Sequence, residues 1–154
     1  MGLFEKIARD IIKQFKDDTS DSKKDNNSYY SGSRQANNSN TGCSLGDIMP
    51  DEENQFSFDG EYYEYFEKIY NEEFPEYDIK YEKLTNRNAT IFTFIKDNDP
   101  VLYVELLSSK SSSKKFRTEC AQYGISYLRF YFDKDGWWNT RSYVINRTKF
   151  ALGL

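Results

Sequence analysis

Val101-Leu-Tyr-Val-Glu-Leu-Leu107 is a run of seven residues with a single charge in it. It is too short for an ordinary helix, and it reads as a strand buried on both faces. The segments on either side supply its neighbours. Asp97 to Asp99 and Asn86 to Asn88 are turn-like breaks, and between and before them lie two more strand-like runs, Ala89 to Lys96 and Tyr77 to Leu84. Upstream, Asp59 is a plausible N-cap for a helix carrying Tyr62, Tyr65, Phe66, Ile69 and Tyr70 at helical spacing, ended by Pro75. Downstream, Ser111 to Ser113 cap a second helix over 113–123 with Phe116, Cys120, Ala121 and Tyr123, and Gly124 suits its C′ position. Ile125 to Phe132 is a fourth strand, Asp135-Gly136 a turn, and Tyr143, Val144, Phe150 and Leu152 belong to a last helix or strand–helix pair. The order helix, three strands, helix, strand, helix predicts an α/β domain over 56–154 with a mixed sheet. In it the 113–123 helix makes a right-handed crossover between two parallel strands.

The first 55 residues are of a different kind. Leu3, Phe4, Ile7, Ala8, Ile11, Ile12 and Phe15 form one apolar stripe, with Glu5, Lys6, Arg9, Asp10 and Lys13 opposite, which predicts an amphipathic docking helix over 1–16. Such a stripe has three outlets: its own domain, a partner or second copy, or a membrane surface. Lys6 stands where a myristoylation motif needs Ser or Thr. Residues 17–55 are Ser, Asn, Asp, Lys and Gly with few apolar points, and they read as a disordered polar tether carrying the exposed thiol Cys43, in which Leu45 to Met49 offer a short turn that could dock.

Composition excludes several chemistries. The 154 residues contain no histidine, so Ser-His-Asp and Cys-His catalysis and His-ligated metal sites are ruled out. Two cysteines make neither a four-thiolate zinc site nor a secreted disulfide framework, which points to a reducing, cytoplasmic compartment. No apolar run approaches the roughly 20 residues of a membrane span. Abundant Tyr, Asn and Lys with scarce Ala reads as the codon bias of an AT-rich bacterial genome. Net charge is −4, but it is uneven: residues 51–100 carry 5 basic and 14 acidic side chains, residues 101–154 carry 9 basic and 4 acidic. Either two faces of the domain differ or the halves neutralise each other.

Glu105 lies at the centre of the apolar strand. A buried unpaired charge is too costly to keep, so the carboxylate has three readings. It is a salt bridge to Arg117, Arg129 or Arg141, or it is exposed at a strand end, or it is a metal-binding or catalytic group. Lys110, Lys114, Lys115 and Arg117 cluster at the start of the second helix, where free N–H groups and the helix dipole attract phosphate. Arg129, Arg141, Arg147 and Lys149 extend that surface, or all of these are an ordinary solvated face. Trp137 and Trp138 either stack bases or form one core and one covering residue.

The stretch Asp99-Pro-Val-Leu-Tyr-Val-Glu105, a Ser/Lys-rich turn, and then Lys114-Lys-Phe-Arg-Thr-Glu-Cys-Ala-Gln-Tyr-Gly124-Ile-Ser-Tyr-Leu-Arg129-Phe resembles the core of restriction-endonuclease-like proteins, the PD-(D/E)XK superfamily and its Vsr-like relatives. The resemblance covers about residues 58–132 and implies a small three-layer αβα fold of order α-β-β-β-α-β. In an active member Glu105 and a second acid, here Asp97, would hold Mg²⁺, a hard ion that prefers oxygen ligands, with Lys110 and Glu61 completing the catalytic set. Lys114, Lys115, Arg117 and Arg129 would contact DNA or RNA. The chain departs from the pattern at two positions: Leu107 stands where the motif has its lysine, and Thr93 aligns with the other acid. The resemblance therefore implies a degenerate nuclease-like domain that binds or processes nucleic acid, with Mg²⁺-dependent phosphodiester hydrolysis if it is active. The alternative is a non-catalytic interaction module docked through residues 3–15 to a protein partner or to itself.

Overall fold

The computed structural model describes Lys13, residues 45–85 and residues 87–154. The docking helix over 1–16 (Lys13 apart), the first part of the tether and Cys43 lie outside the described residues. The elements follow the expected order: α1 (Tyr62–Glu73), β1 (Asp78–Leu84), β2 (Ala89–Lys96), β3 (Asp99–Leu107), α2 (Lys114–Gln122), β4 (Ser126–Tyr131) and α3 (Arg141–Leu152). They make a mixed α/β domain with one four-stranded sheet in the order β1-β2-β3-β4. β1, β2 and β3 form an antiparallel meander. β4 runs parallel to β3, with α2 as the crossover. No helix among the described residues is long and apolar enough to cross a membrane.

Local chemistry explains the turns. Lys96 pairs with Asp99, and the two residues between them, Asp97 and Asn98, both have positive φ, at 54° and 67°. A two-residue hairpin loop with both residues left-handed is the type I′ turn, which Asp and Asn tolerate best. Pro100 follows at the edge of a register shift, where Phe94 faces Leu102 but Ile95 faces Pro100. A proline lacks an N–H for the ladder, and a bulge at the start of a strand accommodates it. α2 ends as a Schellman motif. Gly124 takes φ 68°, its N–H donates to the Ala121 carbonyl, and Ile125 N–H donates to the Cys120 carbonyl at 2.9 Å. α1 starts two residues later than an Asp59 cap would place it. Glu61 is its N-cap residue, and the Glu61 N–H donates to the Glu64 carboxylate at 2.9 Å.

Side chains alternate across the sheet into two clusters. Phe92, Phe94, Leu102, Val104, Leu106, Leu128 and Phe130 pack with Tyr65, Phe66, Ile69 and Tyr70 of α1 and Val144 of α3. Ala89, Ile91, Tyr103 and Leu107 face the other way and pack with Phe116 and Cys120 of α2. β3 thus carries apolar residues to both faces, the burial its run of residues implies. Full burial of each large side chain contributes roughly 1.5–3 kcal/mol, and the first cluster is dominated by aromatic rings in edge contacts such as Tyr70 with Phe92 and Phe94. Trp137 is buried against Tyr131, and Trp138 is half-buried against Phe56. Phe150, one of the apolar residues assigned to the last helix, is 87% exposed. The fully buried residues of α3 are Val144 and, one turn later, Thr148, while Tyr143 packs edge to face on Phe130 of β4; Phe150 lies off that stripe.

The described fold reaches upstream of residue 56 to Leu45, within the stretch expected to offer a docking turn, and continues through Gln55. Leu45 bridges to Trp137 and Gly46 N–H donates to the Gly136 carbonyl at 2.9 Å. Asn54 is fully buried and its Oδ1 accepts from the Phe56 and Ser57 N–H groups. Gln55 Nε2 donates to the Phe132 carbonyl at 2.7 Å, and Asn139 Nδ2 donates to Gln55 Oε1 and to the Tyr131 carbonyl, both at 2.8 Å. Glu52 accepts from Ser142 N–H at 2.6 Å at the start of α3. Polar residues are stable inside when every donor meets an acceptor, and composition alone does not distinguish such amides from solvated ones.

Candidate functional site

Glu105 alternates with Tyr103 and Leu107 toward α2 and sits in register between Ile91 of β2 and Arg129 of β4. It is fully buried, so the reading as an exposed strand end is overturned. Tyr127, two residues before Arg129 and on the same face, donates its hydroxyl to Glu105 Oε2 at 2.6 Å. Arg87 stands 3.2 Å from Glu105 Oε1 through Nη2, and the same nitrogen donates to the Ser112 carbonyl at 2.7 Å. The ion-pair partner is therefore Arg87, not Arg117, Arg129 or Arg141. The turn between β1 and β2 delivers Arg87, and Ser111 Oγ donates back to the Arg87 carbonyl at 3.3 Å. Arg129 is near enough to act on Glu105 through its charge, while its Nη1 donates to Ser113 Oγ at 2.6 Å, fixing the residue that caps α2.

Burial pushes the Glu105 carboxyl above its ordinary range, and the Tyr127 hydrogen bond and the charges of Arg87 and Arg129 pull against that rise. Burial and the neighbouring Glu105 raise the Tyr127 phenol, which stays a donor at any ordinary pH. Cys120, behind them on α2, is pushed up to about 12 by burial and by Glu105 and Glu119, so its thiol is protonated and a poor nucleophile near neutrality.

The other expected site residues are dispersed. Asp97 belongs to the β2–β3 turn, and Glu105 lies six positions along the strand beyond Asp99, about 20 Å at 3.3 Å per residue. The positive φ of the turn accounts for Asp97 without a metal. Glu61 begins α1, which packs on the opposite face of the sheet from Glu105. Lys110 is exposed in the β3–α2 loop, whose path Asp133 fixes by accepting from Ser108 Oγ at 2.5 Å and Ser109 N–H at 2.7 Å. Lys114, Lys115 and Arg117 are exposed on α2. Arg141 lies on the α1 side, where it reaches Glu72 at 2.8 Å and Glu73 at 2.6 Å.

This donor set does not fit Mg²⁺. One Glu105 oxygen accepts from a phenol, the other faces a guanidinium, and the strand neighbours on that face are Ile91, Tyr103, Leu107 and a second guanidinium, Arg129. A hard dication needs several oxygen ligands and no competing cation. Among the described residues no group of three or more His, Cys, Asp or Glu side chains is placed to hold a metal ion.

Charge, in contrast, is sorted by face. α1 and its cap carry Glu61, Glu64, Glu67, Glu72 and Glu73 against Lys68, whereas α2 on the opposite side opens with Lys114, Lys115 and Arg117 against Glu119. The β3–α2 loop and the β1–β2 turn, bearing Lys110 and Arg87, meet at the carboxyl ends of the parallel pair β3 and β4. Ligands of open α/β sheets bind outside the carboxyl ends of the strands. The sequence reading missed Arg87 and Tyr127. An in-register parallel pairing of 105 with 129 would have placed Tyr127 beside Glu105 by the strand period of two, but nothing in the Asn-rich turn marks Arg87 as its partner.

Compared with known proteins, the chain matches no family model, no curated protein and no solved structure.

Proposed function

We propose that this chain is a nucleic-acid-binding module on a restriction-endonuclease-like scaffold whose catalytic position is degenerate. The observation that carries the reading is the one-sided basic surface formed by Lys110, Lys114, Lys115 and Arg117 at the N-terminal end of α2, opposite the acidic α1 face. The α-β-β-β-α-β order with parallel β3 and β4 supports the scaffold, on which Glu105 would correspond to the (D/E) residue. Ile91 and Leu107 beside it, with Arg87 against its carboxylate, support loss of hydrolysis. Phosphate contacts by lysine and arginine supply affinity without base recognition, so binding is salt-dependent and tolerant of sequence.

The test is fluorescence anisotropy of labelled single- and double-stranded DNA and RNA with the full chain between 50 and 300 mM salt, about the range over which counterion release is resolved. Binding should weaken linearly in log–log form, and Lys114→Glu with Lys115→Glu should flatten the slope by about 2, one unit per lost phosphate contact. No binding at the lowest salt refutes the reading. Mg²⁺-dependent cleavage lost in Glu105→Gln refutes its degenerate half.

A further inference from the structure

The β4–α3 loop and the segment entering the domain enclose an open cleft of about 520 Å³, lined by Asp47, Phe56, Asp135, Gly136 and Trp138. Its walls are tied together. Gly46 N–H donates to the Gly136 carbonyl at 2.9 Å, and Trp138 Nε1 donates to the Gly46 carbonyl at 3.0 Å. Gly136 takes φ 73°, and a Cβ there would stand 3.0 Å from the Gly46 carbonyl oxygen, so this closure calls for glycine. Phe56 and Trp138 meet edge to face with centroids 5.6 Å apart. The lining is two aromatic rings and two carboxylates, with no basic side chain.

We propose that this cleft binds an organic cation, the ammonium or guanidinium head of a side chain or of a small amine. The carboxylates supply the opposite charge. The rings supply a negative quadrupole face and an apolar wall for the alkyl groups that a bare metal ion lacks. An anion would face two carboxylates. The same loop already seats one ammonium over aromatic rings: Lys134 Nζ lies 4.6 Å from the Trp137 ring centroid and 5.5 Å from that of Tyr131. The site is independent of the basic α2 surface and takes a ligand of opposite sign.

The test follows the Trp138 indole N–H by ¹H–¹⁵N correlation spectroscopy on the full chain, its peak assigned with Trp138→Phe. The probes are tetramethylammonium chloride, N-acetyl-lysine methylamide and N-acetyl-arginine methylamide, with sodium chloride at matched ionic strength. The expected result is a saturable shift with at least one organic cation and none with sodium. Kd should rise at least tenfold in Phe56→Ala and in the double variant Asp47→Asn/Asp135→Asn. Phe56, Asp47 and Asp135 are exposed, so these variants keep the fold, and Phe150→Ala, outside the cleft, leaves Kd unchanged. Which probe binds best tells a free quaternary amine from a lysine or arginine head. A shift that sodium reproduces, or an equal Kd in the cleft variants, overturns the proposal.

Discussion

Arg87→Met tests whether Glu105 is held by its ion pair. Glu105 is fully buried, and the Arg87 side chain is 17% exposed. Breaking a buried pair from one side leaves an uncompensated charge and costs about 3–5 kcal/mol. Tyr127 still donates to Glu105 in the variant, and methionine keeps the apolar stem in place, so the low end applies, about 3 kcal/mol. For a domain of this size, at about 4 °C per kcal/mol, the melting temperature falls by about 12 °C. The double variant Arg87→Met/Glu105→Gln removes the charge along with its partner and should recover most of that loss, because a neutral amide has far less to lose on burial. The pH dependence gives a second readout. Glu105 has a raised carboxyl pKa, so the folded state holds the proton more tightly than the unfolded state, and its contribution to stability is lost as pH rises from the ordinary value of 4.5 through the folded one. Removing Arg87 takes away an interaction that opposes that rise and widens the window. The deficit of Arg87→Met is therefore largest near pH 7 and shrinks toward pH 4.5. The assay is thermal and urea unfolding of the three proteins at pH 7 and pH 5. A single variant within about 0.5 kcal/mol of the parent, the ordinary range of surface changes, or a double variant no better than the single one, refutes the reasoning.

Two further outcomes concern buried polar groups away from that pair. Asn139→Ala strips the Tyr131 carbonyl and Gln55 Oε1 of their donor and forces alanine to φ near 46°, so it should cost about 2–4 kcal/mol and expose residues 45–57 to limited proteolysis, while Asn139→Gly recovers only the backbone part, about 1 kcal/mol. The Tyr103 hydroxyl is buried with no hydrogen-bond partner among the described residues, so Tyr103→Phe should leave urea-measured stability unchanged or raise it by up to about 1 kcal/mol; a loss greater than that would mean the hydroxyl is satisfied in solution.

What was legible in the sequence, and what was not, divides along a physical line. The elements were legible because each is set by local periodicity: the apolar run 101–107, the Asp-Asn turn, Gly124 beyond α2 and the aromatic stripe of α1 are short-range signals. The parallel pairing of β3 and β4 was legible because neighbouring strands joined by a helix run parallel. The exposure of Phe150 was not legible, because a helix of twelve residues offers more than one apolar stripe and only the packing partner selects it. The docking of Asn54 and Gln55 was not legible, because their amides are polar in composition and find their hydrogen-bond partners only in place. The site shows the same division. The burial of Glu105 follows from its own strand, and Tyr127 and Arg129 follow from the register of β4 against β3. Arg87 follows from neither. It reaches Glu105 from a turn at the far side of β2, and the contact depends on where the β1–β2 turn and the β3–α2 loop come to rest together. That one contact also decides how the strand is read. A lone buried carboxylate on β3 points to a metal, whereas a carboxylate between a guanidinium and a phenol is a closed polar cluster. Under the reading proposed above, the exposed basic residues at the start of α2 hold a ligand, and Glu105 takes no part in cleaving it.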